Sequence, residues 1–407
     1  MKILSLEDRK RVLELVKRST VDFTSAAGIS LGIINEVRRR GDEALAEYTK
    51  KFDEFDLNEN NLKVSREEIN AAVKRLDKNL MKALKHAHRN ITRFHTQQLK
   101  GIKKKLEVKV EGGVNVGEKI DAIDSVGCYV PGGRASYPST VLMTSIPAKV
   151  AGVRRIIVAS PPEVSDAVLA ACQICGVDEV YRIGGAQAIG ALAYGTKSIK
   201  PVSKIVGPGN KYVLAAKSLV YGTVDIDMPA GPSEVLIIAD QTANPDLVSA
   251  DLWAQAEHDP DAQCVLITNS KKLLDEVSTQ APANSAGLLA LSIGDCVDFA
   301  NEYAPEHLEV LTKNARKIAG KIKNAGAIFI GPYSPVAAGD YASGGNHVLP
   351  TGGAAKFSSP LSVRDFLKTT SVQEISKDGL KKLGTTIKTL AEAEGLEKHK
   401  ASTEKRT

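Results

Sequence analysis

Short apolar runs alternate with helix-length segments from about residue 126 onward, and this alternation most constrains the fold. The runs with the length of buried strands are IIVAS (156–160), EVYRIG (179–184), KIVG (204–207), EVLIIAD (234–240) and CVLITN (264–269). The segments with a helical pattern between them are 166–174, 186–194, 211–221 and 244–257. We therefore expect βαβ units, right-handed crossovers and parallel sheets, which gather ligands at the carboxyl ends of their strands.

The N-terminal part of the chain has a helical pattern instead. Ser65 and Glu68 have the spacing of a capping box. The apolar residues that follow at helical spacing are Ile69, Val73, Leu76, Leu80, Leu84, Ala87, Ile91 and Phe94. They predict one long amphipathic helix. His86, His88 and His95 lie on this helix without zinc-ligand spacing, so we interpret them as surface histidines.

The C-terminal segment also predicts an amphipathic helix. Its apolar positions are Leu380, Leu383, Ile387 and Leu390. We expect Gly395 to end this helix and a charged, frayed terminus containing His399 to follow. Such a tail can pack on its own domain or on a neighbouring molecule.

Length and charge exclude several classes of protein. A chain of 407 residues predicts two to three domains, at about 150 residues per domain. The net charge of +6 comes from residues 1–111, which carry 25 Lys and Arg against 17 Asp and Glu. No recognition motif accompanies this charge, so we expect no nucleic-acid partner. No run reaches the roughly 18 apolar residues of a membrane span, and we expect a cytoplasmic protein with no membrane partner.

Five scattered cysteines, an odd number, do not resemble a disulfide framework and favour a reducing compartment. Cys172 and Cys175 form a CxxC pattern, which can serve redox chemistry or metal binding. They lie in an alanine-rich helical segment, however, and there is no second CxxC. We therefore interpret both as buried small hydrophobic residues.

Three glycine-rich turns follow predicted strands, at YVPGG (129–133), IGGAQA (183–188) and GPGN (207–210). Each could bring backbone N–H groups and a helix N-terminus to a pyrophosphate. The dinucleotide fingerprint is absent, because Tyr212 occupies the third glycine position after Gly207 and Gly209. Nucleotide binding and ordinary tight turns both stay open on spacing alone.

Four polar clusters in the second half of the chain each contain a histidine. They are Gln255 with His258, Glu306 with His307, Asp340 with His347, and Glu394 with His399. Together they supply enough imidazole and oxygen donors for a zinc site and a base. The other interpretation is that each histidine satisfies a local hydrogen bond.

Long motifs over almost the whole chain resemble the histidinol dehydrogenase family. In order, they are VGCYVPGGRASYPSTVLM, RIGGAQAIGALAYGT, KIVGPGNKYV, IDMPAGPSEVLIIAD, QAEHDPDAQ, YAPEHLEV and GDYASGGNHVLPTGG. The resemblance implies oxidation of L-histidinol to L-histidine through a bound aldehyde, with two NAD reduced per turnover. It also implies one zinc ion per subunit of a homodimer.

The resemblance assigns candidate roles to residues of this sequence. The implied zinc ligands are Gln255, His258, Asp340 and His399, the last reaching the other subunit's site together with Glu394. The implied catalytic pair is Glu306 and His307. The implied substrate contacts are Ser233, Gln255, His258, His307, Asp340, His347, Glu394 and His399. The implied cofactor contacts are Tyr129, Gln187 and Asn210.

The implied fold is α/β, with two incomplete Rossmann-like parallel-sheet domains and helical N- and C-terminal extensions. We expect a helical arm over residues 1–20, a first domain over 21–128 plus 237–360, an inserted second domain over 129–236, and a helical tail over 361–407. The tail is expected to pack on the dimer partner. An incomplete Rossmann-like domain would account for the missing glycine fingerprint.

Chemistry fits the implied catalytic pair. An imidazole with a pKa near 6.5 is suited to take the hydroxyl proton as hydride leaves, so we assign His307 as the base. A carboxylate beside it could activate the water that adds to the aldehyde, and we assign Glu306 there. A mixed N/O zinc shell would orient the amine and imidazole of histidinol more than ionise its hydroxyl.

Two other functions stay open. A sulfopropanediol dehydrogenase would use the same NAD chemistry, although Glu394 and His347 suit a cationic amine better than a sulfonate. A zinc- and nucleotide-binding protein without catalysis is disfavoured by the complete Glu306 and His307 pair. Val336 stands where some family members are expected to have Glu, so we expect a difference in the wall near Asp340.

Overall fold

Two parallel sheets organise the chain, as the alternation of strands and helices predicts. The computed structural model describes residues 1–6, 23–103, 105–132, 136–228, 231–258 and 260–406. Residues 7–20 of the predicted arm and Gly133 of the first glycine-rich turn lie outside the described residues. The expected α/β fold class is confirmed.

The strands of the described residues are β1 (Lys2–Ser5), β2 (Lys105–Glu111), β3 (Val114–Ala122), β4 (Ser125–Tyr129), β5 (Arg155–Ser160), β6 (Glu179–Arg182), β7 (Lys204–Val206), β8 (Asp225–Ile226), β9 (Glu234–Ala239), β10 (Gln263–Thr268), β11 (Ser285–Leu289), β12 (His307–Leu311), β13 (Ala327–Ile330) and β14 (Leu367–Ile375).

The α-helices are α1 (Phe23–Arg40), α2 (Asp42–Asp53), α3 (Arg66–Arg75), α4 (Lys78–Lys100), α5 (Pro138–Ala151), α6 (Asp166–Cys175), α7 (Gly185–Tyr194), α8 (Lys211–Val220), α9 (Pro245–Ala256), α10 (Lys271–Ser278), α11 (Ile293–Tyr303), α12 (Ala315–Ala319), α13 (Val336–Tyr341), α14 (Lys377–Ala393) and α15 (Glu397–Glu404). Short 3₁₀ helices cover Ala354–Lys356 and Val363–Phe366.

The five-stranded sheet has the order β6-β5-β4-β7-β8, and its neighbouring strands are parallel. Its buried residues pack with α3 to α6 on one face and with α1, α2, α7 and α8 on the other. The chain runs outward in opposite directions from β4 and β7, which makes their carboxyl ends a topological switch point.

The six-stranded sheet has the order β1-β11-β10-β9-β12-β13, again with parallel neighbours. Helices α9 and α10 cover one face, and α11 and α12 cover the other. Residues 2–5 of the predicted helical arm form the edge strand β1 instead. Four residues are too few to show a period, and the pairing with β11 that makes them a strand is far away in sequence.

The predicted long N-terminal helix is two helices. The capping box of Ser65 and Glu68 starts α3, but Leu76 leaves the helical conformation, and Asp77 accepts hydrogen bonds from the Asn79 and Leu80 N–H groups to start α4. Residues 23–100 also pack on the five-stranded sheet, although we expected them in the domain of the other sheet. Apolar faces do not reveal which of two sheets they cover.

The interpretation of His95 as a surface histidine is wrong. It lies four residues after Ile91 on the buried face of α4, and its Nδ1 is 2.7 Å from Gln98 Oε1. Burial lowers its pKa. His86 is exposed and His88 is half-buried.

The C-terminal tail contains two helices and contributes β14 to an antiparallel sheet, the tail sheet, whose order is β14-β3-β2. Helix α14 ends before Gly395, which has a φ of 70°, as the sequence predicts. The residues beyond it are not frayed, because α15 forms there and carries His399. Leu396 lies just before α15, and its carbonyl accepts a hydrogen bond from the His399 N–H.

The interpretation of Cys172 and Cys175 as buried small residues is confirmed. All five cysteines are free and buried, including Cys172 and Cys175, and burial raises the pKa of each thiol, which disfavours thiolate chemistry. Within the described ranges, no helix has the length and apolar character that crossing a membrane requires.

A buried ion pair fixes the loop after β7. Lys217 and Asp227 contact each other with at most 2% of either side chain exposed. Lys217 Nζ also donates to the Gly207 carbonyl at 2.9 Å, and Asp227 Oδ2 accepts the Gly207 N–H at 2.7 Å. Both sides of Gly207 are therefore held, and the residue keeps a φ of 117° that favours glycine.

Lys217→Met should lower the free energy of unfolding by about 3–5 kcal/mol, because it leaves the buried Asp227 without its cation. The matched control is Lys50→Met, since the ion pair of Lys50 with Asp56 is exposed and should be worth no more than about 1 kcal/mol. Chemical denaturation of the three proteins measures both changes. Equal losses of unfolding free energy in the two variants would contradict the conclusion that the buried ion pair fixes this loop.

Candidate active site

The backbone of Glu234, the first residue of β9, contacts both members of the candidate catalytic pair. Its N–H donates to Glu306 Oε2 at 2.9 Å, and its carbonyl lies 3.1 Å from His307 Nδ1. Glu306 precedes β12 and His307 begins it, so both lie at the amino ends of the strands. The candidate pair therefore lies at the edge of this sheet opposite the carboxyl ends, where we expected ligands to gather.

Burial and charge shift the pKa of both groups. Glu306 and His307 are each 5% exposed. Burial raises the pKa of Glu306 to about 7, against the opposing charge of His307. Burial alone would lower the pKa of His307, but Glu306, Asp340 and the Glu234 carbonyl together raise it to about 9. In the protein without metal, the imidazole therefore holds its proton near neutral pH.

Asp340 and His347 come to the same place from one helix and the loop after it. Asp340 lies on α13, with Oδ1 3.7 Å from His307 Nε2. The Asp340 carboxyl is largely buried, yet the imidazoles of His307, His347 and His258 hold its pKa below the usual value. His347 Nδ1 lies 3.0 Å from the Asp340 carbonyl, and burial lowers its pKa. Asp340 and His347, which the sequence grouped in one polar cluster, are therefore in contact in the fold.

Gln255 and His258 lie at the C-terminal end of α9, three residues apart, as the sequence predicts. Gln255 is 2% exposed, and within the described residues neither its amide oxygen nor its amide nitrogen has a hydrogen-bond partner. His258 is exposed, with Nδ1 2.9 Å from the Ala254 carbonyl. A buried amide without partners is costly, so this position favours a ligand.

Three histidines of the site use the same ring nitrogen for a backbone contact. The Nδ1 atoms of His258, His307 and His347 face the carbonyls of Ala254, Glu234 and Asp340. A carbonyl only accepts, so each Nδ1 carries the proton and each Nε2 keeps its lone pair when the ring is neutral. This tautomer leaves Nε2 for a metal ion, a substrate or a proton.

The candidate cofactor residues lie at the carboxyl edge of the five-stranded sheet. Tyr129 ends β4, and its hydroxyl accepts the Gly185 N–H at 3.1 Å. Gln187 is buried in the first turn of α7, and its Oε1 has no partner within the described residues. Asn210 follows β7 and caps α8. All three surround the switch point between β4 and β7.

The two sheets meet where the loop after α13 contacts α5. The side chain of Asn346 donates to the Met143 carbonyl at 2.7 Å, and His347 Nε2 is 3.5 Å from Thr140 Oγ1. Met143 and Thr140 belong to α5, which follows β4. The carboxyl edge of one sheet therefore meets the amino edge of the other.

His399 and Glu394 stand apart from this site within one chain. Both are exposed on the tail. Across the described ranges, no three His, Cys, Asp or Glu side chains are grouped to hold a metal ion. Ser233, in contrast, directly precedes Glu234 and is half-buried beside the catalytic pair.

Two residues of the site were missed by sequence reasoning. Glu234 is 1% exposed, and its Oε1 accepts the Gly352 N–H at 2.7 Å. Glu309 is also 1% exposed, and its Oε1 accepts the N–H of Val336, the divergent position, at 3.0 Å. The available signal was an acidic residue inside an apolar strand run, which is rarely buried without a partner.

Two Rossmann-like sheets with a buried carboxyl–imidazole pair between their edges define an α/β enzyme. The model of the histidinol dehydrogenase family matches residues 16–407. The chain is 49% identical to histidinol dehydrogenase of Methanothermobacter thermautotrophicus, over 98% of this chain and 97% of that protein. It is 47% identical to that of Methanococcus maripaludis, over 100% and 99%.

A solved structure agrees with these sequence comparisons. The crystal structure of histidinol dehydrogenase from Elizabethkingia anophelis is 39% identical, with a TM-score of 0.91 over 100% of this chain and 98% of that chain. This chain therefore belongs to the histidinol dehydrogenase family. The resemblance inferred from its motifs is confirmed, and with it the oxidoreductase class.

In metal-free protein, wild type should lose about 3 kcal/mol of stability relative to Glu306→Gln as pH rises from about 4.5 to about 7. A carboxyl whose pKa is raised by folding binds its proton more tightly in the folded state. Stability is therefore greatest below the unfolded pKa and falls as pH rises. Denaturation with a chelator present measures the difference. The exposed control Glu374→Gln should show none, and a flat difference for Glu306→Gln would contradict the burial argument.

Proposed function

We propose that this protein oxidises L-histidinol through L-histidinal to L-histidine and reduces two NAD in each turnover, in the cytoplasm. The observation that carries the proposal is the buried Glu306 and His307 pair. It lies with Asp340 and His347 at an edge that faces the switch point of a second Rossmann-like sheet. Family membership supports the choice of substrate.

One zinc ion per subunit fits the residues of this edge. We propose Gln255, His258, Asp340 and His399 of the partner subunit as its ligands. The partnerless Gln255 amide, the free Nε2 of His258 and the Asp340 carboxylate form a mixed N/O set suited to zinc. When bound, zinc supplies a Lewis acid that orients the amine and imidazole of histidinol.

His307 takes the hydroxyl proton in the proposed first oxidation. Its Nδ1 donates to the Glu234 carbonyl, which leaves Nε2 as the basic atom. Asp340 contributes to the raised pKa of this imidazole. A divalent cation held by Asp340 would offset part of its negative charge, which would lower the pKa of His307 and favour the neutral imidazole that a base requires.

Glu306 activates water at the aldehyde stage. The Glu234 N–H holds its Oε2, which leaves the other oxygen for water. Its pKa of about 7 lets the carboxyl exchange a proton near neutral pH. Water added to histidinal then gives a hydrate that can lose the second hydride. Ser233, His347 and Glu394 of the partner subunit complete the proposed substrate contacts.

NAD supplies the hydride acceptor, at the edge that carries Tyr129, Gln187 and Asn210. The N-termini of α7 and α8 open toward this edge and suit a pyrophosphate. Gln187 Oε1, buried and without a partner in the described chain, is available to a ligand donor. The Tyr129 hydroxyl contact with Gly185 holds the turn before α7.

A homodimer would complete each site. Glu394 and His399 are exposed on the tail of one chain, which leaves the proposed ligand set one member short. The tail sheet also exposes apolar side chains, namely Leu106, Val108, Val110, Val372 and Ile375. Covering this sheet with a second chain would bury apolar area and could deliver the tail to the partner's site.

Purified protein supplied with L-histidinol and NAD should yield two NADH per histidine, because both oxidations occur at one site. Absorbance of NADH and chromatography of histidine measure the ratio. No NADH from histidinol together with turnover of a sulfonated diol would assign the chain to different chemistry.

Glu306→Gln should impair oxidation of supplied histidinal more than the first hydride transfer from histidinol, because the amide cannot take a proton from water. General-base catalysis is worth about 10²–10⁴-fold. Single-turnover measurements on the two substrates separate the steps. Equal losses in both steps would argue against the division of roles between Glu306 and His307.

His399→Ala should lower zinc content, and mixing it with an inactive His307→Ala protein should restore activity if subunits share sites. Each mixed dimer would contain one site with both residues intact. Zinc analysis and activity after subunit exchange measure the two effects. Absence of recovery, with mixed dimers demonstrated by mass spectrometry, would show that each site is built within one chain.

A further inference from the structure

A pair of carboxyl groups lies behind the candidate active site and has no role in the proposed chemistry. Glu309 is on β12, two residues after His307 and on the same face of the strand. Asp251 is on α9, which covers that face. The two carboxyl groups are close enough to shift each other's pKa.

The two groups cannot both be ionised. Two carboxylates offer no donor, and Glu309 Oε2 is buried with no partner unless one of the pair keeps its proton. Burial, then the neighbouring charge of Asp251, raises the pKa of Glu309, although Val336 and His307 oppose the shift. Burial also raises the pKa of Asp251. Glu309, the more deeply buried of the two, is the group that keeps the proton.

The pair joins three elements that carry the proposed site. Glu309 belongs to the strand that begins with His307. Its Oε1 accepts the Val336 N–H at 3.0 Å, at the start of α13 and one turn before Asp340. Asp251 lies one turn before Gln255 on α9. One protonated carboxyl thus contacts the supports of His307, Asp340 and Gln255.

We propose that Glu309 keeps a proton that it donates to Asp251, and that this pair is a positioning device for the metal ligands on α9 and α13. The inference rests on the proposed function only where it concerns zinc. Neither carboxyl is a ligand or a catalytic residue. A neutral hydrogen-bonding group at position 309 is what the arrangement requires.

The test compares Glu309→Gln with Glu309→Leu in the full-length protein. The Gln side chain can accept the Val336 N–H and donate to Asp251, as the protonated acid does. The Leu side chain can do neither, and zinc affinity, measured by competition with a chromophoric chelator, should fall about 10- to 100-fold. Gln should keep affinity close to wild type. The matched surface controls are Glu276→Gln and Glu276→Leu, which should change nothing.

Two further readouts do not depend on zinc. The infrared carbonyl band of a protonated carboxylic acid should be present in metal-free wild type and reduced in Glu309→Gln. Hydrogen exchange at the Val336 amide should stay slow in the Gln variant. It should become fast in the Leu variant, and if that protein does not fold, Asp251→Ala provides the second variant, with weakened zinc binding expected.

The outcomes separate the two proposals. If Glu309→Gln lowers zinc affinity as much as Glu309→Leu, a charge rather than a neutral donor is needed at position 309. If the infrared acid band is unchanged in Glu309→Gln, Glu309 does not hold the proton. Leu with wild-type zinc affinity would show that the pair positions nothing. If wild type neither binds zinc nor oxidises histidinol, the proposed function fails, while the infrared and exchange results still decide the pair.

Discussion

The backbone of Glu234 is the constraint on which the site depends. Its N–H and its carbonyl hold Glu306 and His307, and the parallel register that pairs His307 with Val235 fixes where they meet. A backbone group keeps its hydrogen-bonding capacity whatever side chain it carries. The relative position of the acid and the base is therefore set by the sheet itself, and the histidine tautomer follows from it.

Local sequence patterns predicted the helices and strands better than they predicted which of these elements pack together. The predicted strands and helices of residues 156–269 agree with the structure to within two residues at each end, because buried strands and their crossover helices differ clearly in length and period. Strand β1, the break at Leu76 and the sheet that α1 to α4 cover were not foreseen. Each depends on a contact with a residue far away in sequence, or on a cap that competes with helical continuation.

The residues of the candidate site also fall into those that local spacing predicts and those that only the fold brings together. Gln255 and His258 were found together because helical spacing places residues three apart on one side. Glu306 and His307 were found because they are adjacent. The meeting of Asp340 with His307, across a separation of 33 positions, needs the fold. Glu234 and Glu309 stand in apolar strand runs, which is a signal of burial, but only the fold reveals which groups their carboxyls contact.

The two sheet edges that meet at the site differ in the helix ends that they present. Helices α7 and α8 begin at the carboxyl edge of the five-stranded sheet, so their N–H groups and positive dipole ends favour an anion such as a pyrophosphate. Helices α9 and α11 end at the amino edge of the six-stranded sheet, just before His258 and Glu306. Their negative ends favour a cation, whether a metal ion or the imidazolium of His307. Opposing a carboxyl edge to an amino edge therefore brings positive helix ends and negative helix ends to one place in the fold, so the two edges favour groups of opposite charge.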